Sequence, residues 1–439
     1  VLFADGSVRT LYLHPGRKVS GGAGGAGGRA NIGLPLPGET PEENYGPGAG
    51  GAGGSATVGA PGASGGTGTG ASTQTATGGS GGDGGYGLVS GGATPDLEGN
   101  GGKGGTGTAY GAGKAVGGEG GDAADALVIC EEMHQSGSPG GVFASLFTCG
   151  IAVPHMIASG DERLIEEYVR PTLRGEKIGS LAITEPGGGS DVGHLTTRAV
   201  REGDEYVLNG AKTYITSGVR ADYVVTAART GGPGAAGVSL IVVDKGTPGF
   251  EVSRKLDKMG WRSSDTAELS YSDVRVPAAN LVGVENTGFL QIAAAFVSER
   301  VGLAAQAYSS AQRCLDLTVD WCRNRETFGK PLIARQSVQN TLAEMARRID
   351  VARVYTRALV ERQIAGDHNL ITEVCFAKNT AVESGEWVAN QAVQLFGGMG
   401  YMAESEVERQ YRDMRILGIG GGTTEILTSL AAKTLGFQA

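Results

Sequence analysis

Residues 181–191 read LAITEPGGGSD, and the hydrophobic period changes across them. Upstream, DALVICEEMHQSG (125–137) sets Leu127, Cys130 and Met133 on one helical face. DERLIEEYVRPTLRGE (161–176) reads as a second short helix, acidic early and broken by Pro171. Downstream the period falls to two. DEYVLNGAKTYIT (204–216) carries Asn209-Gly210 between alternating segments, a hairpin signal. ADYVVTAAR, VSLIVVD and AELSYSDVRVP follow as strands with glycine or proline between them. TEPGGGS itself reads as a turn whose glycines let backbone N–H groups come close to a ligand.

From about Gly288 the helical period returns and persists. In the stretch 288–325, Phe289, Ile292 and Phe296 recur at three- and four-residue steps. In 337–366, Val338, Leu342, Met345 and Ile349 form one stripe, with Gly366 near the end. NLITEVCFAKNTAVESGEWVANQAVQLFGG (369–398) is a third helix, and the tail from Thr423 a fourth. Four amphipathic helices imply a bundle. The expected division is therefore 1–121, 122–178 (helical), 179–286 (β) and 287–439 (helical bundle), an α+β chain.

The first 121 residues differ from the rest. About 43 of the 78 glycines lie there, with few large apolar residues among them. Ordering glycine costs more backbone entropy than ordering any other residue, and little burial offsets that cost. The segment reads as glycine-rich low complexity, with a glycine-rich β-solenoid as the alternative. Its many G-x-G-x-x-G matches lack the preceding strand and following helix of a dinucleotide site.

The formal net charge of −9 argues against nucleic acid as a partner. The five cysteines are scattered and lack C-x-x-C spacing, so no metal site is expected. No run of eighteen apolar residues points to a membrane span.

Five segments, LAITEPGGGSD (181–191), NGAKTYITSG (209–218), RETFGKPL (325–332), QLFGGMGY (394–401) and YRDMRILGIGGGTTEI (411–426), resemble the acyl-CoA dehydrogenase family in sequence and in order. The likeness spans 122–439. It implies that family's fold: a helical N-terminal part, a central β domain and a C-terminal four-helix bundle. It also implies FAD, and oxidation of an acyl-CoA thioester to the trans-2-enoyl-CoA by loss of an α-proton and a β-hydride. An electron-transfer flavoprotein as acceptor and a homotetramer or homodimer follow from the same resemblance. The compartment it suggests is the bacterial cytoplasm, with the mitochondrial matrix as the alternative. GLPLPGETPEENYG (33–46) is a faint echo of the family's P-E-E-Y-G segment.

Residue by residue, the resemblance places Leu181, Ile183 and Thr184 along the flavin and Ser190 near flavin or CoA phosphate. Tyr214, Ile215 and Thr216 close a strand against the flavin, with Tyr214 where tryptophan is common; either residue offers a flat ring. Arg325, Thr327, Phe328 and Gln336 would reach the adenosine diphosphate end of a neighbouring subunit's FAD. Gln394, Phe396, Gly397 and Gly398 would make the other contact across subunits. An arginine suits pyrophosphate through its planar fork.

Most members of the family carry their glutamate base just before the last helix, where this chain has Gly421. A subgroup that includes the isovaleryl-CoA and long-chain enzymes takes its glutamate from an earlier helix, and similar citronellyl-CoA enzymes are grouped with it. FVSERVGLAA places Glu299 at that position, after the apolar run Ile292–Val297. An apolar setting raises a carboxyl pKa toward the operating pH of a base. Arg300, about a hundred degrees around the helix, would support substrate or loop. Gly421 keeps a backbone N–H for the thioester oxygen, Gly422 borders the substrate, and Thr423 and Glu425 match flavin-side positions of the motif. The acyl group expected is medium to long, or branched. The competing readings are a non-catalytic subunit or scaffold of a hetero-oligomer, and an acyl-CoA oxidase.

Overall fold

The computed structural model describes residues 123–367 and 369–437, together with the backbone of eight short strands nearer the N-terminus. The chain divides into two units, 1–128 and 129–439. In the first, β1 (Leu11–His14) and β2 (Arg17–Val19) pair antiparallel. β3 (Ala56–Thr57), β4 (Gly68–Gly70), β5 (Gly87–Val89) and β7 (Gly107–Ala109) form one parallel sheet. β6 (Leu97–Glu98) pairs in parallel with β8 (Ala115–Val116). The segment 33–46 lies outside the described residues.

Helix α1 (Ala123–Gln135) leads into the second unit, followed by α2 (Gly140–Leu146) and α3 (Cys149–Ser159). On α1 the buried positions beyond Cys130 are Glu131 and His134, while Met133 stays half-buried. The face is turned by a polar anchor that the apolar spacing does not reveal. The Glu131 carboxylate accepts both prongs of Arg357 (2.9 and 2.6 Å) and the Tyr308 hydroxyl. The next helix is not broken at Pro171. α4 (Glu162–Leu164) continues through a wide π-turn, Ile165–Val169, into α5 (Arg170–Leu173), with Pro171 in the first turn of α5. The widened turn lies where proline has no N–H to give to an α-helical ladder.

The β region comprises β9 (Gly179–Ala182), β10 (Arg198–Glu202), β11 (Glu205–Thr216), β12 (Tyr223–Arg229), β13 (Val238–Asp244), β14 (Phe250–Lys255) and β15 (Thr266–Pro277). Their order is β13-β12-β10-β11-β15-β14, with β9 parallel to β12. Alternation along β12 serves two cores. Tyr223, Val225 and Ala227 pack with Met156, Leu164 and Tyr168 of the helical segment and Ile292 of the bundle. Val224 and Ala228 face Leu208, Leu269 and Val274.

Asn209-Gly210 is not the hairpin turn. β11 runs straight through it, and the turn is Gly203-Asp204, between Glu202 and its partner Glu205. Asn209 and Gly210 sit instead at a register shift opposite β15. The Asn209 side chain exchanges hydrogen bonds with Asp273 (3.0 and 2.9 Å). A Cβ on Gly210 would stand 2.7 Å from Thr197 Cα, so the glycine serves a close backbone approach.

The bundle consists of α6 (Gly288–Asn324), α7 (Gln336–Ile364), α8 (Ile371–Phe396) and α10 (Thr424–Thr434), with α9 (Glu406–Met414) before the last. A short hairpin of β16 (Glu326–Thr327) and β17 (Lys330–Pro331) links α6 to α7. Val338, Leu342, Met345 and Ile349 are all buried on α7. α6 and α8 meet through small residues: a Cβ on Gly385 would lie 3.2 Å from Ala307 O and 2.8 Å from Met414 Sδ. By length and hydropathy alone, the stretches 140–159 and 288–324 could cross a bilayer. Here the first is interrupted between α2 and α3, and α6 sends Phe289, Ile292 and Phe296 into the core shared with the β region.

Candidate active site

The α6 turn that carries Glu299 and Arg300 sits against the glycine run 420–422. Ile416 O ends the preceding helical turn by accepting from both Ile419 and Gly420 N–H. Thr423 then caps α10, its hydroxyl accepting from Ile426 N–H. Between these fixed points, Gly421 and Gly422 take φ values of +65° and +98°, a region that side chains disfavour.

Three consecutive carbonyls of the run are held by two cations. Lys378 Nζ, on α8, donates to Gly420 O (2.7 Å) and Gly422 O (2.6 Å). Arg300 Nε donates to Gly421 O (3.0 Å). Both side chains are buried, and Arg300 also lies over the Phe296 ring at 5.3 Å. Burial, with the Arg300 charge adding to it, brings the Lys378 ammonium down to about 8. Among the described residues, Gly421 N–H has no acceptor.

Glu299 is half-buried and, among the described residues, has no hydrogen bond or salt bridge. Its Oε1 lies 3.5 Å from the point a Cβ on Gly421 would occupy. Burial raises its carboxyl pKa; the Arg300 and Lys378 charges pull the other way without cancelling the rise. The pairing with Arg300 that would make Glu299 an ordinary surface charge does not form, because Arg300 is engaged by the loop. Leu303, one turn after Glu299, fills the remaining space: its Cδ1 is 2.5 Å from that same Cβ point.

The turn after β9 is built on a buried ion pair that the motif reading passed over. Lys212 Nζ reaches Glu185 Oε1 and Ile183 O, both at 2.9 Å. The Glu185 carboxylate also accepts from Thr196 N–H and hydroxyl and from Thr197 N–H. Burial acts to raise the Glu185 carboxyl, but Lys212 and these hydrogen bonds outweigh it and hold it near 2. Thr184 O accepts from Thr213 N–H, tying the turn to β11. Leu181 and Ile183 flank the core, and Ser190 is exposed on the turn. Ile215 is buried, so only its backbone can face a ligand, while Thr216 O accepts from Ser180.

Tyr214 sits on a bulge between the Lys212 and Ile215 pairings, at φ +59°, with its ring 69% exposed. Bulges of this kind re-aim a side chain. Beside it, β9 pairs with β12, and the turn that follows is tied to β11 through Thr184 O and Thr213 N–H. An exposed flat ring re-aimed by a bulge, beside the exposed glycine-rich turn 186–190, suits a planar heterocycle, so the residues present fit a flavin.

The other predicted contacts gather at one end of the bundle. Trp321 joins them: its ring stacks on Phe396 (4.7 Å, 11° between planes) and its Nε1 donates to Leu395 O. Arg325 lies over the Trp321 ring, 5.9 Å from its centroid. Arg335, which sequence reasoning missed, donates to Thr327 O and Oγ1 and covers the Phe328 ring. Phe328 is nevertheless 96% exposed at φ +51°, and Gln336, Gln394, Gly397 and Gly398 are exposed too. Among the described residues, no hydrogen bond, ion pair or ring contact joins this end to the Tyr214 turn. Glu425 is exposed on the first turn of α10.

Comparisons with known proteins agree with this layout. Residues 180–274 match the acyl-CoA dehydrogenase middle domain and residues 286–436 the acyl-CoA dehydrogenase C-terminal domain. A probable acyl-CoA dehydrogenase of Bacillus subtilis is 37% identical over 314 residues, covering 71% of this chain and 81% of that one. The crystal structure of a putative acyl-CoA dehydrogenase from Mycobacterium smegmatis is 87% identical, with a TM-score of 0.73, over 73% of this chain and 84% of that one. An FAD complex of PigA, 27% identical, superposes with a TM-score of 0.70 over 74% and 85% of the two chains.

Proposed function

The chain belongs to the acyl-CoA dehydrogenase family, and from that premise we propose that Glu299 is the base that takes the α-proton of the acyl-CoA thioester. The protein is an FAD-dependent oxidoreductase that dehydrogenates acyl-CoA. Bound FAD supplies the two-electron acceptor for the β-hydrogen. The remaining work falls to side chains and backbone of this chain.

The observation that supports Glu299 most directly is its position beside Gly421. A carboxylate oxygen on α6 reaches the place from which a side chain at position 421 would start. The base is thus supplied from the other wall of the same cleft. Its raised pKa suits a group that must hold a proton after taking it. Gly421 N–H serves as a donor to the thioester oxygen, where negative charge gathers as the α-proton leaves. Tyr214 and the Thr184 turn form the flavin wall, and Ser190 and Gly422 border the CoA thioester. Arg300 acts on the substrate through Gly421 O.

The cluster of Arg325, Thr327, Phe328, Gln336, Gln394, Phe396, Gly397 and Gly398 serves the FAD of a neighbouring subunit. What supports this is its exposure: Phe328 and Arg325 are both exposed in one chain. We propose a medium, long or branched acyl group and a flavoprotein-type acceptor, on the likeness to enzymes whose base sits on the earlier helix.

Anaerobic bleaching of the flavin by a panel of straight and branched acyl-CoAs tests the base. Glu299→Gln is expected to slow reduction by at least about 10²-fold, the usual worth of a positioned base. Reduction at near wild-type rate would show that the base lies elsewhere.

A further inference from the structure

We propose that Lys378 is a positioning residue for the reaction, aiming Gly421 N–H at the thioester oxygen by gripping the carbonyls on either side of it. This rests on the reading of Gly421 N–H as the thioester donor.

The geometry follows from the peptide plane. Gly420 C=O and Gly421 N–H belong to one trans peptide, so they point in opposite directions. With Gly420 O held on Lys378 Nζ at 2.7 Å, Gly421 N–H must point away from α8. Lys378 also holds Gly422 O at 2.6 Å, which fixes the second peptide beyond. The peptide between them is fixed by Arg300. Without these anchors the run has every freedom to turn its peptides over, because glycine has equal access to both signs of φ. Gly421 N–H is left without an acceptor among the described residues, as a donor kept for a ligand would be.

A lysine buried on α8 carries a desolvation cost that an apolar residue would avoid. The charged and titratable groups around it are Arg300 and Glu299 of α6 and Cys375 of its own helix. It donates to neither Glu299 nor Cys375; among the described residues its hydrogen bonds both go to the loop. An apolar side chain of similar length, such as methionine, could fill the space but has no donor for either carbonyl.

The test compares Lys378→Met and Lys378→Gln with wild type as FAD-loaded proteins. Two readouts separate positioning from mere support. One is the carbonyl stretching frequency of bound enoyl-CoA by difference Raman spectroscopy. The other is the split between kcat and KM. Lys378→Met is expected to return the carbonyl frequency toward its free value and to lower kcat by about 10²-fold, the scale of one lost oxyanion donor, with KM changed less than threefold. Lys378→Gln, which keeps an N–H donor group but is neutral and one bond shorter, is expected between the two and decides the matter should the methionine variant not fold. A folded variant with wild-type frequency and kcat overturns the role of Lys378 alone. Absence of any carbonyl shift in the wild-type protein overturns the Gly421 donor and the role of Lys378 with it.

Discussion

Glu299 Oε1 lies 3.5 Å from where a Cβ on Gly421 would stand, although 121 residues separate Arg300 from the loop it holds. The two positions share one small volume, and Leu303 occupies what is left of it. Glu299 stands at ordinary contact distance from that point; what opposes a side chain at 421 is Leu303 and the backbone. Gly421→Ala meets two obstacles. Its φ of +65° strains any side chain, on the order of 1–3 kcal/mol, and its Cβ would stand 2.5 Å from Leu303 Cδ1. Adding Leu303→Ala removes the second obstacle and leaves the first. Denaturant unfolding of the two single variants and the double variant should show a favourable coupling between 0.5 and 3 kcal/mol, about the range for contacting residues. Strict additivity would mean that Leu303 does not guard the site.

The raised pKa of Glu299 sets a pH dependence whose sign is fixed. With Glu299 as the proposed base, working ionised, kcat/KM is expected to fall as pH drops through the pKa of the free protein. Because burial raises that pKa, the acid limb should lie above the ordinary glutamate range. Arg300 and Lys378 restrain the rise, so Arg300→Met should move the limb to still higher pH. A pH series of kcat/KM for the two proteins measures both shifts. A limb that stays in place in the variant would remove Arg300 from the electrostatics of the base.

Much of this site was legible in the sequence, and the parts that were not share a physical cause. Glu299 could be singled out as the candidate base because the resemblance rests on its own segment and on position 421, and the apolar run before it is a local feature. The bundle was legible for the same reason: the Val338–Ile349 stripe needs only the helical period. Lys378, Leu303, Lys212 and Arg335 look like any lysine, leucine or arginine until the fold chooses their partners. Lys378 finds its carbonyls 42 and 44 residues away. The misread Asn209-Gly210 pair is instructive in another way. A dipeptide favoured in hairpins also suits a mid-strand bulge, and only long-range contacts, with Thr197 and Asp273, distinguish the two.

The Glu185–Lys212 pair makes the flavin-side turn sensitive to acid. The folded carboxyl is held near 2, below its unfolded value of about 4.3, so its stabilisation is present above the unfolded value and is lost as pH falls toward 2. Lys212→Met leaves the carboxylate buried without its cation. The expected cost is on the order of 3–5 kcal/mol at neutral pH. The gap between variant and wild type should narrow as pH falls, because a protonated Glu185 no longer needs the partner. Chemical denaturation at pH 7 and at pH 4 distinguishes this from a simple packing defect, which would cost the same at both.

Trp321 holds together two segments that the sequence keeps seventy residues apart. Its ring stacks on Phe396 and its Nε1 bonds Leu395 O at 3.2 Å, while Arg325 leans over its face. Such stacked pairs contribute about 0.5–1.5 kcal/mol beyond burial. Trp321→Ala should let both segments drift and so weaken FAD retention, without touching Glu299. Trp321→Phe keeps the stack and loses only the hydrogen bond, so it should fall between. The ratio of flavin to protein absorbance before and after gel filtration measures this, and the elution volume reports assembly in the same run. If the alanine variant keeps its flavin and its size, this end of the bundle has no part in holding FAD. If flavin and size are lost together, the cofactor depends on the neighbouring subunit, which is why Phe328 and Arg325 are left exposed in a single chain.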